Sequence, residues 1–506
     1  MKSLFVFLVF SLFTNLLKTN IKKITVLLIA LFISSWHIAD TSPHIVTGDD
    51  YPYTLLQDKP SQKNSRKEVT KVLLEDEAVA WLQAYLKVDT INPPGNESRA
   101  VDFYAEIFNK EGIEFESAES APGRGNIWAR IEGGDKPPII LLQHTDVVPA
   151  DIEFWDVDPL SGEIIDGFIW GRGALDMKGT GISHLANFIK IHRSAKKLNR
   201  DVIFVATADE EAGGAFGAGW MVENRPEVFE GAGLLINEGG SGSRSNDEIV
   251  FGVEVTQKVP VWLRLTSVDV PGHGSSPRPT SSVTRIIDAL NVIKENPFPA
   301  RIIPEVEILF KERARGIDGP MADKYRNIKS SIKEEGFLNK LQEYSASSHA
   351  LTRDTCSLTR MGGSNKINVI PPTAWAEVDC RILPDRPAEE FIETFKALVA
   401  DTGVKVDLIM AFTSAISPTD SVLFKAIQEF AQEEYPGSRV VPSVSTGFTD
   451  SHFTRDLGIA SYGFNPLISV GDEYSSIHGN NERVNEKAFR KSINDLSLIL
   501  TKVIYD

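Results

Sequence analysis

The sequence predicts an α/β protein, a mixed and mostly parallel sheet with helices on both faces, into which an α+β domain is inserted. Two observations predict the sheet. Short apolar runs at 139–142, 202–208 and 234–236 are bounded by turn residues, and helical stretches at 177–193 and 214–224 lie between them. Unbroken apolar runs of strand length belong to strands buried on both faces, which is the position of a parallel strand under crossover helices. A change of texture near residue 260 predicts the insertion. From there 261–265, 355–361 and 374–382 alternate apolar with polar residues, as half-buried antiparallel strands do, among helical stretches at 282–294, 321–344 and 388–401.

Taken in order, the chain opens with an apolar run at 4–17, the basic residues Lys18, Lys22 and Lys23, and a second apolar run, ITVLLIALFISSW, at 24–36. Each run is short of the roughly 20 apolar residues that span a bilayer. Lysines followed by such a run form a signal peptide or signal anchor, so the protein is expected to be exported: secreted, periplasmic or membrane-anchored facing outward. Cleavage or retention as a membrane tether is left open. Residues 37–73 are polar and aperiodic and read as a linker. The body then runs as a first part of the main domain at 74–260, the inserted domain at 261–405 and a second part at 406–506. Helices are predicted at 78–86 and 101–110, the latter on the spacing of Val101, Tyr104, Ala105 and Phe108, and at 422–435 after the insertion.

A formal net charge of −16 excludes a nucleic-acid partner, because no cluster of Lys and Arg is present to replace phosphate counterions. Two cysteines, Cys356 and Cys380, exclude a disulfide-dense scaffold and a Cys-rich zinc site. They are equidistant from Asn368, so if their segments pair as neighbouring antiparallel strands in symmetric register, the two sulfurs meet across the pair.

The chemistry-bearing residues fall where the strands end. His144 and Asp146 follow the first run, Asp209, Glu210 and Glu211 the second, and Glu238 the third. Open α/β sheets place their sites at that carboxyl edge. A single histidine after a strand is ordinarily a satisfied structural residue, and a Glu-Glu pair ordinarily faces solvent; three strand ends bearing metal-type ligands together point to a metal site. Asp176 adds a fourth element, in a Gly-rich turn (GRGALDMKG) that opens a helix. Without a Gly-Lys-Ser/Thr ending or a G-x-G-x-x-G pattern, that turn is no phosphate loop.

LLQHTDVVP, WGRGALDMKG, ATADEEAGG, PGHGSSP, NVIPPTAWAEVDCRILP, STGFTDSHF and IHGNNERV follow one another in this order between residue 141 and residue 484. Together they resemble the signature set of the M20 metallopeptidases, and most of all the branch of carboxypeptidase S and the secreted N-fatty-acyl-amino-acid hydrolases. The likeness runs from about residue 75 to the end. It implies two Zn2+ per chain, with Co2+ or Mn2+ as substitutes, held by His144, Asp176, Glu211, Glu238 and His478. Asp176 would bridge the ions next to a non-prolyl cis peptide, Glu211 and His478 would complete one metal and Glu238 the other. Asp146 would orient His144, and Glu210 would shuttle the proton. Because neighbours on an extended segment point opposite ways, the chain must turn for Glu210 and Glu211 both to reach the site. His273 would stabilise the oxyanion from a lid, often the partner subunit's. Asn368, Arg381 and Gly447 would contact substrate, Arg381 alternatively serving as a structural ion-pair residue.

The implied reaction is hydrolysis of an amide next to a free carboxylate, on a small peptide or an N-acyl amino acid, by a chain that forms a homodimer through its inserted lid domain. A metal-lost binding module and a broader amidase or aminoacylase are the alternatives. The stretch 296–350 departs from a minimal lid in being longer and more helical.

Overall fold

The computed structural model describes residues 73–194, 196–245 and 248–505. The export segment expected at 1–36 and the linker, apart from Leu73, lie outside the described residues. No helix of the described residues is long and apolar enough to cross a membrane.

The three predicted runs are strands Lys136–His144, Arg200–Thr207 and Leu234–Asn237. They pair in parallel, with Lys136–His144 between the other two, and Ala460–Gly463 extends the parallel set beside Leu234–Asn237. Antiparallel strands Phe115–Glu119 and Gly125–Ile131 flank one side; Glu248–Gln257 and Arg439–Ser445 continue the sheet on the other. Successive side chains of a strand point to opposite faces. Accordingly Ile139 and Leu141 join one core with helices Leu74–Leu86, Ser98–Glu111, Lys178–Ser194, Val422–Glu434 and Glu486–Ile504. Ile140 and Leu142 join another, with Met221 of helix Ala218–Asn224. Burial on both faces is why these strands read as continuous apolar runs.

A second sheet contains strands Thr355–Gly362, Thr373–Ile382, Val259–Val268 and Lys405–Ala411 in that order, all antiparallel. Helices Ser282–Glu295 and Ala388–Val399 pack on one face of it, and Thr373–Ile382 alternates regularly between that core and the other face. Cys356 lies opposite Cys380, Cα to Cα 4.0 Å, and the two form a disulfide, as the symmetric register required. The expected boundary between residues 405 and 406 cuts this sheet, since Lys405–Ala411 is its edge strand; no residue of that strand is fully buried, so its sequence carries little apolar alternation. At the junction of the two sheets Lys258 is buried, its ammonium donating to the Ala350 and Arg353 carbonyls and to Thr355 Oγ1.

The stretch expected as one helix at 321–344 is broken into Pro320–Arg326, Ile328–Ser331 and Phe337–Tyr344. Gly336, in the left-handed region at φ 71°, sets the last break. With helix Pro304–Arg313 these form their own small core around Phe310, Tyr325 and Leu341, which closes on Val444 of the main sheet's edge strand.

Candidate metal centre and adjoining cavity

His144 ends its strand buried, and its Nδ1 lies 3.0 Å from the backbone carbonyl of Asp146. A carbonyl only accepts, so Nδ1 carries a proton and Nε2 is the nitrogen available to a metal. That nitrogen faces Asp176 Oδ1 at 3.2 Å and Glu238 Oε2 at 3.5 Å. On the other side of Asp176 the pattern repeats, with His478 Nε2 3.0 Å from Asp176 Oδ2 and 3.2 Å from Glu211 Oε2. A proton on each imidazole bridges these atoms when the site is empty, and a metal cation can take its place at the same spacing. For metal–ligand bonds of 2.0–2.1 Å, tetrahedral ligands lie about 3.3–3.4 Å apart, which is the spacing present. Two half-sites therefore share Asp176, one oxygen each, and the residues fit a pair of small divalent ions. The peptide from Asp176 to Met177 is cis.

The local chain explains how these side chains converge. Asp209 is left-handed (φ 69°) and residues Glu210–Ala212 form a single 3-10 turn, so two neighbouring glutamates face one centre. Asp146 holds that turn: its carboxylate accepts the amides of Glu210 (3.1 Å) and Glu211 (3.2 Å) and the Asn92 side chain (2.8 Å). It therefore reaches His144 chiefly through its own backbone carbonyl rather than through its carboxylate, which stands 3.5 Å from Nδ1. Gly463 on the neighbouring strand admits Glu238, because a Cβ there would collide with the Glu238 carbonyl oxygen.

Electrostatics favour a cation as well. Burial pushes the Glu238 carboxyl up to about 8, and the Asp176 charge adds to this. Burial and then Glu238 hold Glu210 well above the usual carboxylate range. Hydrogen bonds with Asp176 and then Glu211 hold His478 up at about 10. Unlike His144, Glu210 lies on one side only, grouped with His144 and Glu238.

Comparison with known proteins fits this geometry. The model of peptidase family M20/M25/M40 matches residues 140–502. The chain belongs to that family. This M20 chain is 30% identical over 372 residues to the N-fatty-acyl-amino acid synthase/hydrolase PM20D1 of Xenopus tropicalis, covering 71% of each. It is 28% identical over 369 residues to the probable carboxypeptidase S-like 2 of Dictyostelium discoideum, covering 70% of each. Among solved structures it shares the fold of the M20 family metallo-carboxypeptidase Sso-CP2 from Sulfolobus solfataricus, with TM-score 0.63 and 21% identity, over 84% of this chain and 98% of that one. As an M20 protein it is a metal-dependent hydrolase of amide bonds.

A cavity of about 650 Å³ opens on the centre, lined by Asp176, Glu210, Glu211, Glu238 and His478 and also by Arg381 and Gly447. Arg381, on a strand of the second sheet, is both an ion-pair residue and a cavity residue. Its Nε and Nη2 donate to Asp379, and its buried Nη1 has no protein acceptor among the described residues. His273 and Asn368 are brought together, the Gly274 amide donating to the Asn368 carbonyl, yet His273 is exposed and neither lines the cavity of its own chain.

Sequence reasoning singled out none of Asn92, Asp450 and Glu482. Buried Asp450 bonds Thr207 beneath the centre, and burial raises its carboxyl to about 7. Glu482, fully buried, accepts the amides of Gly173 (2.9 Å), Leu175 (2.8 Å) and Asp176 (3.0 Å) and pairs with Arg172 at 2.7 Å. It thereby fixes the turn that carries the shared ligand. Glu482→Ala leaves the Arg172 guanidinium buried without its partner and is expected to cost about 3–5 kcal/mol, measured by denaturant unfolding of the two proteins side by side.

Proposed function

We propose that this protein hydrolyses the amide bond next to a free carboxylate, in an N-acyl amino acid or at the C-terminus of a small peptide, with two Zn2+ per chain. The observation that carries this is the division of five ligands into two half-sites around Asp176, beside a cavity with an unsatisfied arginine. His144 and Glu238 would hold one ion, His478 and Glu211 the other, and Asp176 both. When bound, such a pair acidifies a water molecule and stabilises the oxyanion of the attacked carbonyl. Glu210, in the site but outside the shared pairs, takes the proton from the attacking water and passes it to the leaving amine. Arg381 Nη1 and the Gly447 backbone receive the substrate carboxylate.

The free carboxylate is the feature to test. Matched free-acid and amidated substrates with one acyl group should differ in kcat/KM by about 10²-fold or more, since the amide leaves the arginine unpaired in a site built for an anion, though one open to solvent. Equal rates would replace this proposal with a broader amidase.

His273 supplies an oxyanion donor from a partner subunit's second domain, which its absence from the cavity lining of its own chain supports. His273→Ala is expected to lower kcat about 10²-fold with metal retained. Mixing that variant with Glu210→Gln should restore activity through hybrid dimers, and no recovery with subunit exchange demonstrated would exclude action across a dimer. The apolar runs before residue 37 and the Cys356–Cys380 bridge support export to an oxidising compartment.

A further inference from the structure

A second chamber, about 1050 Å³, adjoins the metal cavity. Gly239, Gly240, Ser241, Ser469 and Tyr474 line both, so the two meet just after the strand end that precedes Glu238. Arg381 and Gly447 line only the metal cavity. With the substrate's free carboxylate there, the group across the scissile bond is the one that reaches the chamber.

The chamber's charges are uneven. In a chain with 69 acidic and 53 basic residues, Arg244, Arg313, Arg439, Lys487 and Lys491 line it against a single carboxylate, Glu312. Arg439 answers Glu248 and Glu312, and Lys491 answers Asp495. Arg313 and Lys487 have no carboxylate partner among the described residues. Arg313 is the telling one. It ends helix Pro304–Arg313 in the stretch that lengthens the inserted domain, and it is half-buried. The only hydrogen bond its guanidinium makes among the described residues runs from Nη1 to Ser348 Oγ, at 2.9 Å. A part-buried guanidinium that faces a chamber and has no counter-charge is free to pair with an anion entering it. Burial lowers the Arg313 pKa, and Tyr474, which lines both cavities, is among the groups that act on it electrostatically.

Resting on the amide-hydrolysis reading above, we propose that this chamber is a subsite for a second carboxylate, carried by the acyl side of the substrate remote from the scissile bond and bound by Arg313. Two sources share that chemistry: an acyl chain ending in a carboxylate, and the side chain of an acidic residue in a peptide.

The experiment measures kcat/KM on the metal-loaded enzyme for two sets of pairs. One pairs N-acyl amino acids of equal chain length ending in methyl or in carboxylate; the other pairs dipeptides with Gln or Glu on the acyl side. Wild type is expected to prefer the carboxylate member of at least one set by about 10- to 100-fold, the scale of a charge-assisted hydrogen bond. Arg313→Gln should erase that preference through KM, and Arg313→Lys, which keeps the charge without the fork, should retain part of it. Should Arg313→Gln fail to fold, a reduced preference in Arg313→Lys and in the exposed Lys487→Gln decides the matter. The absence of a wild-type preference for the carboxylate member in both sets, or a preference unchanged in the variants, overturns the proposal. Cleavage of an N-acetyl amino acid by wild type checks the amide-hydrolysis reading separately. If no amide is cleaved, that reading fails, and calorimetric binding of glutarate decides the chamber: binding weakened in the Arg313 variants supports it, and no binding or equal binding overturns it.

Discussion

Glu210→Gln is expected to cut turnover by about 10²–10⁴-fold, the usual scale for a positioned proton shuttle, while both metals stay bound and the melting temperature stays close to wild type. The amide matches the carboxylate in shape and cannot accept a proton at neutral pH. What holds Glu210 in place is its backbone, whose amide donates to Asp146, so the turn survives the change. Asp176→Ala should behave oppositely and lose metal, because Asp176 is the one carboxylate common to both half-sites. Turnover measured with elemental analysis on the same samples separates the two. Near-normal turnover in metal-replete Glu210→Gln would remove this residue from the proton path.

The main sheet and the place of the candidate centre were legible for one physical reason. Strands buried on both faces must be largely apolar, so 139–142, 202–208 and 234–236 stand out, and His144, Glu210, Glu211 and Glu238 lie within three positions of their ends. The alternation of 374–382 marked the second sheet equally well, and with it the disulfide register. Glu482 left no comparable trace. Its partners lie 306 to 310 positions earlier, and nothing local distinguishes it from a solvated glutamate until the loop at 172–176 is folded over it. Asp146 was recognised, but its work on the Glu210–Glu211 turn depends on the left-handed Asp209, which no pattern announces. The helical reading of 321–344 followed a periodicity that Gly336 interrupts, and edge strand Lys405–Ala411 faces solvent too much to alternate.

Removal of metal should have the largest effect of all, because without it the carboxylates and histidines gathered at the centre have no means to activate water. Each histidine Nε2 lies 3.0–3.5 Å from carboxylate oxygens, a spacing that suits ligands shared by one small cation. Chelation is therefore expected to abolish hydrolysis, and added zinc or cobalt to restore it. The most direct measurement is titration of chelated protein with Zn2+, following activity and bound metal together on one N-acyl amino acid. Activity should rise to a plateau at about two ions per chain; full activity in metal-free protein would contradict the account.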